Sequence, residues 1–112
     1  MQGFFAAYLT GRGGMSVVLF VIKDGHMVGV DIAGMKYDGE FRAKADGTGF
    51  TCEIAYTIPP GVQLITGSGP VATPTDVRLT VNLPTDFANG PVIGIDTVMG
   101  PLNARFVKLR DL

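Results

Sequence analysis

The chain is expected to fold as an all-β protein, an antiparallel up-and-down barrel of about eight strands with a lipocalin-like outline, in one domain over residues 1–112. Three observations lead there. Apolar and polar residues alternate with a period of two: Phe50, Cys52, Ile54, Tyr56 and Ile58 against Thr51, Glu53, Ala55 and Thr57, then Val77, Leu79, Val81 and Leu83 against Arg78, Thr80 and Asn82. Strand side chains point to opposite faces in turn, so these stretches read as half-buried strands. The 16 glycines and 7 prolines punctuate the chain at short intervals, and Gly after Asp or Asn supplies the positive φ of tight hairpins. No window carries the i, i+3, i+4, i+7 apolar stripe of a helix, and the composition favours Gly, Thr and Val over Leu, Glu and Lys.

Taken in order, strands are expected near 3–10, 15–23, 27–33, 36–45, 49–58, 76–83, 92–98 and 102–110. The connections read from Gly11-Arg12-Gly13-Gly14, Asp24-Gly25, Asp46-Gly47-Thr48-Gly49 and Asn89-Gly90-Pro91, and Asp38-Gly39 carries a further turn signal. In the fourth strand Phe41, Ala43 and Ala45 alternate with Glu40, Arg42 and Lys44. The prolines of PPGVQLITGSGPVATPT, residues 59–75, forbid a central strand there; Val62 to Thr66 can still pair as a short edge strand, and the rest reads as a long surface loop. PTDFANG, residues 84–90, has room for one helical turn. A meander of this kind closes into a barrel and so removes exposed sheet edges; an open two-sheet sandwich is the rival arrangement.

The bulk composition bounds the function. With 46% apolar and 17% charged residues and a net charge of −1, the chain has the makeup of a globular protein. Its nine basic residues form no cluster, so direct nucleic-acid binding is not expected. Cys52 is the single cysteine, which leaves no internal disulfide. No basic segment precedes the first apolar run, and the longest such run, Met15 to Ile22, falls far short of the roughly 20 residues that span a bilayer. A cytoplasmic protein without membrane association is the expectation.

No catalytic set, metal site or cofactor is expected. His26, the only histidine, follows the Asp24-Gly25 turn, and Cys52 lies on the apolar side of its strand. One His and one Cys cannot supply the ligand count of a zinc site. Asp24, Asp31, Asp38 and Asp46 follow the spacing of the turns and lack the pattern of a calcium loop. The Gly-rich runs at residues 11–14 and 67–70 complete no phosphate-loop motif. Asp31, within an apolar strand, either accepts backbone N–H bonds or pairs with Lys36, or else it is a polar group aimed into the barrel to hold a ligand.

The expected barrel interior comprises Asp31, Phe41, Phe50, Ile54, Tyr56, Val77, Leu79 and Val81. Eight strands leave room for packed side chains or for one small apolar ligand. The segment from Met15 to Ile22 is apolar on both faces, and a strand of that kind has a cover on each. If Val17, Leu19 and Val21 point inward, then Val18, Phe20 and Ile22 form an outward set. Its cover is either the 59–75 loop, through Val62, Leu64 and Ile65, or the same face of a second copy in a homodimer.

The runs Lys23-Asp24-Gly25, Gly29-Val30-Asp31 and Tyr37-Asp38-Gly39, with Gly3-Phe4-Phe5 and Val17-Val18 upstream, resemble the pattern of the GrlR family of small bacterial proteins over about residues 3–58. That resemblance implies a lipocalin-like eight-stranded barrel, a homodimer, and negative regulation of type III secretion genes. The family's regulators bind a helix-turn-helix transcription activator and keep it from DNA. They carry acidic residues in the loop between the fourth and fifth strands; at that place this chain has Ala45-Asp46-Gly47-Thr48-Gly49, which leaves Asp46 as the candidate partner-loop residue. The expected function is a non-enzymatic regulator or adaptor acting by protein–protein binding, with a small apolar ligand-binding barrel as the alternative.

Overall fold

Asp24 and Gly25 both take positive φ, 51° and 78°, as a type I′ hairpin turn demands. The turn joins Lys23 to His26 across the ladder and starts a meander that continues through the whole chain. The computed structural model describes all residues, 1–112. Its strands are β1 (Gly3–Gly11), β2 (Gly14–Lys23), β3 (His26–Asp31), β4 (Lys36–Ala43), β5 (Phe50–Ile58), β6 (Thr75–Leu83), β7 (Asn89–Thr97) and β8 (Gly100–Arg110). All ladders are antiparallel, and the sheet order is β6-β5-β4-β3-β2-β1-β8-β7.

The fold is therefore the expected all-β up-and-down barrel, closed by the first and last strands, with Phe5 opposite Lys108 and Ala7 opposite Phe106. The remaining seam lies between β6 and β7, consecutive strands with no ladder between them. Pro91 sits in β7, at the end of the sheet order, where a missing N–H costs no central hydrogen bond. Residues 84–88 make tight turns, with Phe87 N–H donating to the Pro84 carbonyl at 3.2 Å and Asn89 N–H to that of Asp86 at 2.9 Å, whereas Asn89-Gly90-Pro91, expected as a connection, opens β7.

Two glycines have roles that a turn signal does not convey. Gly39 lies in the middle of β4, not in a turn. An added Cβ there would collide with the Glu53 carbonyl of β5, so glycine permits the close approach of the two backbones. Gly29 faces inward opposite Phe20, and an added Cβ would lie 2.8 Å from the Phe20 Cβ. The missing side chain on β3 makes room for the ring on β2.

The two ends of the barrel are filled differently. At the end that carries the β2–β3 and β6–β7 turns, Phe87 is fully buried amid aromatic rings. Phe5 stacks on Phe20 at 5.3 Å and on Phe87 at 6.0 Å, while Phe106 meets Phe87 edge-on at 5.7 Å. Phe41 and Phe50 complete the cluster. These distances fall in the range of favourable offset and edge-to-face packing. At the other end, the 59–74 loop folds over the mouth. Leu64 is buried with Ile58 and Val77, Gly13 N–H donates to the Ile65 carbonyl at 2.7 Å, and Ser68 Oγ donates to the Met99 carbonyl at 2.6 Å. The loop is thus a lid, tied to the β1–β2 and β7–β8 turns.

The direction of β2 is the reverse of the sequence expectation. Val18, Phe20 and Ile22 point into the core, 6%, 4% and 0% exposed, and Leu19, 53% exposed, lies on the outside with Val17 and Val21. Either parity is compatible with a strand apolar on both faces. What selects this one is the ring of Phe20, which finds Phe5, Phe106 and the space over Gly29 on the inside. The 59–74 loop covers the mouth and not this outer face, so Val62, Leu64 and Ile65 do not cover β2.

Candidate functional site

Between the aromatic plug and the lid lies a cavity of about 270 Å³. Of the expected interior residues, Asp31, Phe41, Ile54, Tyr56, Leu79 and Val81 line it. Phe50 belongs to the aromatic plug and Val77 to the small cluster beneath the lid. The period-two alternation of β5 and β6 brings these side chains together, since Ile54 pairs with Leu79 and Cys52 with Val81 across the ladder. Of the 31 lining residues 26 are hydrophobic, so the cavity favours an apolar occupant.

Its polar features gather near the lid. Asp31 ends β3, and its carboxylate accepts from Ala33 N–H at 3.0 Å and Met35 N–H at 2.9 Å through Oδ1, and from the Tyr37 hydroxyl at 3.0 Å through Oδ2. The backbone contacts organise the β3–β4 turn, in agreement with one of the two structural roles expected of Asp31; the alternative pairing with Lys36 is not formed. The Tyr37 and Tyr56 rings pack at 5.1 Å between centroids. Burial pushes the Tyr37 hydroxyl far above the ordinary tyrosine range, and the Asp31 carboxylate beside it adds to the shift. Burial also raises Tyr56. Both phenols therefore keep their protons near neutral pH. Sequence reasoning missed Tyr37 as the partner of Asp31; the signal was their even spacing of six residues across a short turn, which places both on the inner face.

Cys52 is 1% exposed, and burial pushes its thiol up to about 12. A thiol so held is not a nucleophile at neutral pH. His26 is exposed at the start of β3, on the side of the barrel away from the lid. No group of three or more His, Cys, Asp or Glu side chains is placed to hold a metal ion. Asp46 lies in the β4–β5 loop and is exposed; its Oδ1 accepts from Thr48 N–H at 3.0 Å and Thr48 Oγ1 at 2.7 Å. Those hydrogen bonds hold its carboxyl below the usual carboxylate range and define it as a turn-forming residue.

The second candidate surface is the outer face of β8, β1, β2 and β3. Phe4, Tyr8, Leu19, Val28, Val30 and Leu109 are exposed there. The registers join them: Phe4 faces Val21, Ala6 faces Leu19, Tyr8 faces Val17, Leu19 faces Val30 and Val21 faces Val28. Ala6 is covered by these neighbours, at 2% exposure, so the patch is continuous. Arg105 borders it, with its guanidinium 5.5 Å from the Tyr8 ring. On the other side Lys36, Asp38, Glu40 and Arg42 of β4 end it.

Fold and sites together define an up-and-down β-barrel with a partly open apolar cavity and one uncovered apolar wall. Compared with protein-family models, with curated proteins and with solved structures, the chain finds no match. No helix is long and apolar enough to cross a membrane.

Proposed function

We propose that this protein is a non-enzymatic binding barrel that dimerises and acts by protein–protein association. The observation that carries the reading is the uncovered face of β8, β1, β2 and β3. The largest apolar patch on a typical monomer is about 300–600 Å², and the six exposed side chains, with aromatic residues contributing about 150–250 Å² each when fully exposed, present an area on the order of 600 Å². That approaches the roughly 800 Å² per partner of a standard interface. The occupant is a second copy. The centre of the patch, Ala6, Tyr8, Leu19, Val28 and Val30, carries no charge, and the exposed Lys23, Arg105 and Arg110 lie at its margins, so a two-fold axis through the centre sets apolar surface against apolar surface.

The resemblance to the GrlR family supports a finer reading, in which the dimer restrains a transcription activator. The single acid in the β4–β5 loop, Asp46, is committed to Thr48, so recognition of such a partner is not assigned to that loop. Sedimentation velocity at tens of micromolar tests the dimer: the wild type is expected as a dimer and Leu19→Glu as a folded monomer. A monomeric wild type overturns the reading. For the finer reading, the purified protein is added to a helix-turn-helix activator of type III secretion genes bound to its operator. Release of the DNA is expected, and retention of the DNA overturns it.

A second reading, favoured by the cavity of about 270 Å³, is binding of a small apolar ligand. An engineered cavity of about 150 Å³ stays dry and takes benzene. The larger space here suits a molecule of roughly eight to twelve carbons on the same scale.

A further inference from the structure

The geometry points to a ligand with a hydrogen-bond-donating head, an alcohol or an amine on a medium-length apolar body, and to exclusion of carboxylates such as fatty acids. This inference rests on the ligand-binding reading of the cavity and adds the chemistry of the head group. Asp31 is the only charged residue lining the cavity; no Lys, Arg or His shares the wall. A carboxylate has about four lone-pair sites. Ala33 N–H, Met35 N–H and the Tyr37 hydroxyl fill three of them, which leaves one acceptor site.

Tyr56, also in the wall, packs its ring against Tyr37. Tyr37 donates its hydroxyl proton to Asp31, whereas the Tyr56 hydroxyl has no protein partner. No fully enclosed side-chain polar atom lacks a partner, so the Tyr56 hydroxyl reaches accessible space. One open acceptor and one hydroxyl able to donate or accept thus lie at the lid end of an apolar chamber. A neutral or cationic donor head satisfies both. An anionic head meets the half-buried Asp31 charge with no countercharge in the wall, and like charges at such range repel.

The test is a protein-observed NMR titration at pH 7.5 with three probes of equal length: octan-1-ol, octylamine and octanoate. Octan-1-ol and octylamine are expected to shift the amide signals of Tyr56 and Leu79, with octanoate at least tenfold weaker. Asp31→Asn keeps the Oδ1 acceptor of the turn and removes the charge; it is expected to bring octanoate within about threefold of octan-1-ol. Tyr56→Phe, which removes only a hydroxyl without a protein partner, is expected to weaken octan-1-ol about fivefold, and it serves if Asp31→Asn does not fold. Ala7→Leu, which narrows the cavity wall, is expected to weaken all three probes and so distinguishes the cavity from the outer apolar face. Octanoate binding as tightly as octan-1-ol to the wild type overturns the head-group inference and leaves the ligand-binding reading standing. If none of the probes shifts those signals, the ligand-binding reading falls and the inference with it.

Discussion

The outer wall of β8, β1, β2 and β3 and the outer wall of β4, β5 and β6 follow the same period of two and present opposite surfaces. The first shows Phe4, Tyr8, Leu19, Val28 and Val30. The second shows Glu40 and Arg42, then Glu53 and Thr57, then Asp76, Arg78 and Asn82, all exposed. Arg42 bridges Glu40 and Glu53 across that wall, and the Thr57 hydroxyl donates to Asp76 at 2.7 Å. A sheet with one wet face needs polar residues on alternate positions, and β4 to β6 supply them. The opposite wall confines them to its margins, at Lys23, His26, Arg105 and Arg110, and nothing in the fold of one chain covers the apolar centre between them. Solvation thus explains one half of the barrel, and the proposed dimer would account for the other.

The largest expected effect separates the inside of β2 from its outside. Phe20→Glu places a carboxylate between Phe5 and Phe106. Loss of the ring alone costs about 3–5 kcal/mol, and the unpaired buried charge adds to it. The variant is expected not to fold, as judged by circular dichroism and loss of dispersed NMR signals. Leu19→Glu, one residue away, is expected to keep a melting temperature within a few degrees of the wild type. Were Phe20→Glu to give a folded monomer, the assigned parity of β2 would be wrong.

Next in size is the effect on association. Leu19 sits at the centre of the apolar wall, facing Ala6 on one side and Val30 on the other. In the proposed dimer a Glu from each copy at that place would bring two carboxylates together at the apolar centre of the interface. The dimer dissociation constant is expected to rise at least a hundredfold, measured by sedimentation equilibrium. Arg78→Glu on the polar wall is expected to leave it unchanged.

All eight strands were legible because alternation, hairpin glycines and prolines agree along the chain. The parity of β2 was not legible. Val17 to Ile22 is apolar at every position, so the period carries no sign, and the choice rests on which neighbours accept the Phe20 ring. Gly39 misled because a glycine after Asp signals a turn locally, whereas here it serves a close backbone approach to Glu53 on the paired strand β5. The lid role of residues 59–74 depends on contacts with the β1–β2 and β7–β8 turns, which local sequence does not encode. The apolar lining was legible position by position from β5 and β6, but the cavity itself was not, because residual space is a property of the whole packing. The pairing of Asp31 with Tyr37 lay in the spacing and went unread.

A third and smaller effect concerns pH, and it sharpens the contrast between the inner and outer surfaces. In the unfolded chain Cys52 loses its proton near pH 9, whereas burial in the folded protein holds it until about 12. A folded pKa raised in this way contributes stability that is complete below pH 9 and is lost as pH climbs from 9 towards 12. The slope from this group is about 1.4 kcal/mol per pH unit in that window. Tyr37 and Tyr56, raised mainly by burial, add to the loss above about pH 10. Chemical denaturation at pH 7, 9 and 10.5 is expected to show the decline. Cys52→Ser is expected to cost about 1–3 kcal/mol at pH 7 if its hydroxyl finds no partner, and to reduce the slope between pH 9 and 10. Rapid labelling of native Cys52 by a thiol reagent would contradict its burial.

The smallest expected effect falls on the polar wall. The Arg42 side chain is 53% exposed, and its partners Glu40 and Glu53 are 56% and 55% exposed. Charges so open to water attract one another weakly, and exposed pairs are worth about 0–1 kcal/mol. Arg42→Ala is therefore expected to change stability by less than about 1 kcal/mol, to lose even that difference at high salt, and to leave the dimer dissociation constant where it was. The last expectation bears on the comparison of the two walls. Arg42 lies on β4, beyond the edge of the apolar face, and its nearest charged neighbours are on its own chain. If Arg42→Ala weakened association by tenfold or more, the second copy would sit on the wall of β4 to β6. The apolar wall of β1 to β3 would then need a different occupant.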